Sequence, residues 1–254
     1  MQIISSKDNE IIKDIRKLKD KKYREQKNQY IVEGIKLIQE AINEEAIIDN
    51  IVVCEECLKN DVFDDKLLYE IAKHKCIYVT ENVFKTITEV NSPQGVLAVI
   101  DKKKKSQEID YNEDIIVVLD GVQDPGNLGT ILRTVDSCNI KQIVISKQSA
   151  DSFNPKVVRS TMGAIFRVKV IETDNLVETL KEIKKNKFKI VATSLQTDKS
   201  IYDVDFSKKA IIIGNEANGV SKEVMELADI KTKIPMLRKN RKFKCVCCDR
   251  SYFV

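Results

Sequence analysis

Short runs of branched apolar residues, each closed by a polar turn and followed by a helical pattern, recur along this chain and predict alternating strands and helices. In the C-terminal half the strands read as 115–119, 142–146, 166–171, 188–193, 210–213 and 231–235, with helices at 127–138, 154–162, 174–186 and 221–228. Ile115 to Leu119 is apolar at every position rather than at alternate ones, the mark of a strand covered on both faces. Such alternation predicts a parallel sheet flanked by helices. The N-terminal half reads as a smaller α/β module. Residues 7–27 form one helix with the stripe Ile11, Ile12, Ile15 and Leu18; strands follow at Tyr30–Gly34, Ile47–Cys54, Cys76–Thr80 and Gly95–Ile100, with helices at Ile35–Ala41 and Leu67–His74. Lys102 to Asn112 is charged and aperiodic, so it reads as a linker. The predicted organisation is therefore a domain at 1–101, a linker at 102–112, a second domain at 113–237 and a tail at 238–254.

Two strand-to-loop junctions carry the candidate chemistry. Ile115–Leu119 runs into Asp120-Gly121 and then Asp124-Pro125-Gly126, where Pro sets φ and Gly accepts positive φ. Asn127 is placed to cap a helix that carries Gly129 and Arg133. Ala210–Ile213 runs directly into Gly214-Asn215-Glu216-Ala217-Asn218-Gly219, and a last short strand ends in Lys233-Ile234-Pro235-Met236. Open α/β sheets bind ligands at this C-terminal edge. Neither loop has the glycine spacing of a P-loop or a dinucleotide fingerprint, so phosphate cradling is not the natural reading.

DPGNLGTILRT, IIIGNEANGVS and KIPM together resemble the first two motifs, and the start of the third, of the SpoU-type RNA ribose 2′-O-methyltransferases of the SPOUT superfamily. The likeness covers about residues 113–237. It implies a parallel-sheet α/β domain of the trefoil-knot type, S-adenosylmethionine as methyl donor, a homodimer, and structured RNA as substrate, ribosomal more than transfer RNA. It assigns Arg133 and Asn127 to catalysis. Gly214, Asn215, Glu216, Gly219, Ile234 and Met236 are assigned to the donor. Asn154, Arg159, Ser160 and Gly163-Ala164 lie in a further family-like segment, with Arg159 set against RNA. The N-terminal module, through residues 20–32 and the following Glu-Gly, resembles a ribosomal-protein-like RNA-binding fold.

Charge and cysteine adjust this picture. The net charge of +4 is misleading: residues 238–254 hold six Lys/Arg against one Asp, so the remainder stands at −1. The informative cluster is local: Lys17, Lys19, Lys21, Lys22 and Arg24 read as a phosphate-contacting surface or as a solvated helix face. Seven cysteines at scattered positions argue for a reducing cytoplasm rather than a disulfide framework. No apolar run spans a membrane, and the opening MQIISSKDNE lacks a signal-peptide pattern. Cys54 and Cys57 form a lone C-x-x-C without a second pair, so no metal is expected. Ser160 lacks a histidine to activate it, since the one histidine, His74, sits in a basic KHK context.

The tail departs from the family. After KIPML the family continues with a glycine and a Ser-Leu-Asn run; this chain reads RKNRKFKCVCCDRSYFV. A permitted codon choice for that string, read one base later, yields GKTESLNVSVATGVIL. The expectation is a frame shift after Leu237 that removes the third motif; beside the leading reading, a ribose 2′-O-methyltransferase, it sets the alternative of an RNA-binding protein of the same fold with impaired catalysis. The alternative is a genuine basic tail that binds RNA or, through Cys245, Cys247 and Cys248, a metal.

Overall fold

The computed structural model describes residues 3–58, 63–102, 108–194 and 196–235; the tail and Met236 lie outside them. The chain divides into two compact units, Met1–Lys104 with Phe153–Phe166, and Lys105–Ser152 with Arg167–Val254.

The first unit holds strands β1 (Ile3–Ile4), β2 (Gln29–Glu33), β3 (Ile47–Cys54), β4 (Cys76–Val79) and β5 (Val96–Asp101). Their order is β1-β4-β3-β5-β2; β1, β4 and β3 run parallel, and β5 is antiparallel to both β3 and β2. Helices α1 (Glu10–Lys17), α2 (Lys21–Lys27), α3 (Ile35–Asn43), α4 (Glu55–Leu58), α5 (Asp65–Ala72) and α6 (Glu81–Ile87) complete it. Ile12, Ile15 and Leu18 pack with Val52, Leu97 and Phe84 in one core, so three members of the apolar stripe read from the sequence face inward, while the fourth, Ile11, is exposed. Cys54 is part of that core, and burial pushes its thiol up to about 12.

The expected single helix over 7–27 is corrected: it breaks after Lys17, and Asp20 caps α2 by accepting from the Tyr23 N–H at 3.1 Å. The break turns Arg24 inward. Only 2% exposed, it donates from Nη1 to the Leu18 and Lys19 carbonyls, each at 2.7 Å. A cation at the carbonyl end of α1 is well placed electrostatically. Lys19 likewise donates to the Thr86 and Thr88 carbonyls at 3.3 and 2.9 Å, at the end of α6. Arg24 and Lys19 thus spend their side chains on main-chain carbonyls, whereas Lys17, Lys21 and Lys22 of the same expected cluster are exposed. Lys17 and Lys21 share their charge with Asp14 (3.3 Å) and Glu25 (3.7 Å), loose pairs on the surface.

The second unit is built on β6 (Ile115–Asp120), β7 (Gln142–Ser146), β8 (Lys169–Thr173), β9 (Lys189–Thr193), β10 (Lys209–Gly214) and β11 (Ile230–Thr232). The helices in this stretch of chain are α7 (Pro125–Ser137), α8 (Pro155–Ser160), α9 (Ala164–Arg167), α10 (Leu176–Lys185) and α11 (Lys222–Glu226). Helix α8 folds with the first unit, against β2, and the Phe153 ring before it lies 4.9 Å from that of Tyr30. The strand order is β11-β9-β10-β6-β7-β8 and every pairing is parallel. Ile116, Val117, Val118 and Leu119 are all fully buried, as an all-apolar strand in a two-sided parallel sheet must be. Ile116, Val118, Ile190 and Ile212 pack with Leu180 and Ile183 of α10. Val191 and Ile211, on the opposite pleat, pack with Ile201 and Val204. Two strand boundaries move by three residues. The strand expected at 166–171 starts at Lys169, because 164–167 is helical; that expected at 231–235 shortens to Ile230–Thr232, followed by a single bridge from Lys233 to Ser200. Among the described residues no helix is long and apolar enough to cross a membrane.

Candidate active site

From β6 the chain moves outward to β7 and β8, then restarts on the far side with β9 and returns to place β10 beside β6. β6 and β10 thus flank the point where the winding reverses, the place where such sheets open a ligand crevice. Their register runs from Lys209 opposite Ile115 to Gly214 opposite Asp120, so both strands end level and both loops leave side by side.

The first loop is set by its turn chemistry. Gly121 adopts φ +73° and donates its N–H to Ser146 Oγ at 2.9 Å, which ties the loop to the end of β7. Asp124, not Asn127, is the cap of α7: its Oδ1 accepts the Asn127 N–H at 2.8 Å, and Pro125 occupies the first helical position, where its missing N–H is harmless. This corrects the capping role expected for Asn127 and leaves its side chain available for other work.

The second loop closes on itself. Asn215 and Gly219 exchange both backbone hydrogen bonds, at 2.9 and 2.8 Å, while Asn215 Oδ1 accepts the Ala217 and Asn218 N–H groups, each at 3.0 Å. The chain can double back so tightly only without a side chain at Gly214. A Cβ there would lie 2.2 Å from the Gly219 carbonyl carbon and 2.3 Å from the Val220 nitrogen. Gly219 itself has φ +72°, and the space where a side chain would stand is open for 4 Å.

Two side chains join the loops. Asn215 Nδ2 donates to the Gly121 carbonyl at 2.8 Å. The Glu216 carboxylate accepts from the Gln123 and Asp124 N–H groups, each at 3.2 Å, and from Asn127 Nδ2 at 3.0 Å. Burial pushes the Glu216 carboxyl up, but the Asn127 amide and the backbone N–H donors outweigh it and hold it below its ordinary range. A third tie runs from the Ser221 N–H to Asp120 Oδ2 at 2.7 Å. Asn127, Asn215 and Glu216 are thereby brought together.

The other expected residues are placed separately. Arg133 lies six residues along α7 from Asn127, about 9 Å further along the axis and turned about 120° around it. It is exposed and, among the described residues, pairs with no carboxylate. Ile234 is half-buried and packs beside Val191, Ile201 and Ile211, while Met236 lies outside the described residues. Arg159 is on α8 in the first unit, half-exposed, and Ser160 spends its hydroxyl on the Lys156 carbonyl at 2.8 Å, which removes it as a nucleophile. Asp120, Gln123, Asp124 and Ser146 were not singled out from the sequence. Their only signal was a polar residue at a strand end or in a turn.

Comparison with known proteins supports one family. The model of the SpoU rRNA Methylase family matches residues 114–243, and that of the MRM3-like substrate binding domain matches residues 9–98. The chain is 31% identical over 237 residues to the 23S rRNA (guanosine(2553)-2′-O)-methyltransferase RlmP of Bacillus subtilis, covering 93% of this chain and 91% of that one. It is 32% identical over 218 residues to a putative TrmH family tRNA/rRNA methyltransferase of Staphylococcus aureus, covering 82% and 87%. Among solved structures, the AdoMet-bound rRNA methyltransferase of Sinorhizobium meliloti superposes with TM-score 0.86 at 26% identity, covering 99% of this chain and 95% of that one.

Proposed function

The chain belongs to the SpoU rRNA methylase family, and from that premise we propose that the residues flanking β6 and β10 methylate a ribose 2′-hydroxyl of 23S ribosomal RNA. The activity is that of an S-adenosylmethionine-dependent RNA 2′-O-ribose methyltransferase. The observation that carries the site assignment is the double loop at the reversal point, closed by its own backbone and joined by Asn215 and Glu216. The open space at Gly219 is what a flat nucleoside needs in order to approach backbone closely. Gly214 to Gly219 and Ile234 would hold S-adenosylmethionine, with Met236 beyond them; when bound, the donor supplies an electrophilic methyl group on a sulfonium.

The protein's own share is positioning and charge. The Arg133 guanidinium, a fixed fork that stays charged at any working pH, binds the phosphate next to the target ribose and stabilises the oxyanion as the hydroxyl loses its proton. Asn127, its amide held by Glu216, presents its remaining carbonyl oxygen to the substrate. The homodimer and the trefoil knot belong to the same proposal and rest on the family resemblance; the cytoplasmic location belongs to it too and rests on the scattered cysteines. Incubating the full chain with tritiated S-adenosylmethionine should place label on a 23S rRNA transcript, at a ribose resistant to alkaline cleavage. Label on transfer RNA alone would overturn the substrate. A second reading rests on the tail sequence: a chain without the third motif binds RNA but transfers little. It predicts that restoring the alternative frame after Leu237 raises transfer, and equal transfer by both forms would dismiss it.

The N-terminal unit supplies RNA affinity in this proposal, through Lys17, Lys21 and Lys22. Changing all three to Gln should lower the slope of log affinity against log salt by about 2 to 3, one counterion per lost phosphate contact. Arg24→Leu should behave differently: it leaves two carbonyls unpaired and should reduce stability by about 2–3 kcal/mol in a thermal or urea melt. An unchanged salt slope in the triple variant would return the three lysines to ordinary solvated surface.

A further inference from the structure

Arg133 is surrounded on its helix by four possible partners, the residues three and four positions away: Gly129, Thr130, Asp136 and Ser137. Asp136 alone is acidic. Left to itself, that carboxylate would sit beside the Arg133 guanidinium and neutralise it in competition with an RNA phosphate. In the structure it is taken. Arg167, from the end of α9, holds Asp136 with a two-pronged grip: Nε donates to Oδ1 at 3.1 Å and to Oδ2 at 3.0 Å, and Nη2 donates to Oδ2 at 2.8 Å. Both side chains are largely shielded, at 32% and 21% exposure, whereas Arg133 is exposed. Ser137 is occupied too, its hydroxyl bonded to the Arg133 carbonyl at 2.8 Å.

We infer that Arg167 is a positioning residue: by occupying Asp136 it keeps the Arg133 guanidinium unpaired and available to RNA. The physical basis is an unequal contest. A shielded, forked arginine–carboxylate pair is strong and geometrically exacting. An exposed pair three residues apart on one helix, with the base N-terminal to the acid, is weak and in the poorer orientation. The fork wins while Arg167 is present, and the weak pair forms when it is absent. The inference rests on the role proposed for Arg133, and it adds a second arginine to the reaction that never touches substrate.

The test reads the state of Arg133 directly, without RNA or donor. The full chain is treated with phenylglyoxal, and modification of the Arg133 peptide is timed by mass spectrometry. Arg167→Gln should slow that modification about two- to fivefold, the occupancy that an exposed helix pair reaches. Adding Asp136→Asn to the same chain should restore the original rate, because the freed carboxylate is gone. Methyl transfer should follow the same order, lowered in Arg167→Gln and recovered in the double variant. A merely structural role for Arg167 would slow transfer in both variants and leave labelling unchanged; either result overturns the inference. Thermal melts check the fold, and if Arg167→Gln does not fold, Arg167→Lys with and without Asp136→Asn carries the same comparison, with a smaller fall expected. Arg133→Ala in the transfer assay separates the two proposals. Full activity there removes the role assigned to Arg133, while the labelling series still decides whether Arg167 controls its pairing.

Discussion

Arg133→Ala is expected to lower methyl transfer by two to three orders of magnitude while leaving the melting temperature within about 2 °C of the parent. The guanidinium is exposed and, among the described residues, unpaired, so its removal takes away no packing and breaks no ion pair. Loss of one preorganised charge at a developing oxyanion typically lowers turnover by about a hundred- to a thousandfold. Arg133→Lys should recover only a small part, because a point charge on a flexible stem lacks the fork that binds phosphate through two parallel bonds. Donor binding, followed by calorimetry, should be unchanged in both. The measurement is single-turnover transfer to 23S rRNA at saturating RNA, with the frame-restored form run beside the full chain. Near-parental turnover by Arg133→Ala would move the catalytic charge elsewhere.

Gly214→Ala should be the most disruptive change of a single methyl group in the second unit. The added carbon would meet backbone atoms of Gly219 and Val220 at 2.2–2.5 Å, and backbone cannot rotate aside as a flexible side chain can. The loop must open, which breaks the paired Asn215–Gly219 bonds and shifts Glu216 off Gln123, Asp124 and Asn127. A loss of about 3 kcal/mol or more in a denaturant melt, together with loss of S-adenosylmethionine binding, is expected. Gly219→Ala is the control. Its φ of +72° strains any side chain, but nothing lies within 4 Å, so it should reduce stability by only about 1–2 kcal/mol. Equal effects at both positions would mean that backbone strain, rather than the close approach, accounts for Gly214.

Much of the second unit was legible from residue pattern alone. Ile115–Leu119 and Ala210–Ile213 are apolar at each step because both faces of their strands are covered. Their glycine and proline turns announced the loops, and the motifs within those loops announced the family. What the pattern could not supply was partnership between positions about 90 residues apart. That Glu216 grips Asn127, and that Asn215 reaches Gly121, depends on β10 returning to lie beside β6, a choice of strand order that neither strand's composition records.

The cap of α7 shows the same limit at short range: Asp124 and Asn127 are both good capping residues, and only the observed start at Pro125 separates them. The basic N-terminal cluster shows it most clearly. Five cations within eight residues look alike in sequence, since charge says nothing about direction. The break at Leu18–Asp20 sends Arg24 into the core and Lys19 onto the end of α6, while Lys17, Lys21 and Lys22 stay in solvent. Sequence by itself thus determined the strands of the second unit, where its two glycine loops fall and which family's chemistry they carry, because those follow from local periodicity and turn preference; it did not show the break within 7–27 or the short helices at Glu81–Ile87 and Ala164–Arg167. Which of several identical charges is free to act, from Lys22 at the surface to Arg133 beside an Asp136 already held by Arg167, was decided by tertiary packing alone, because a charge acts through whatever stands next to it.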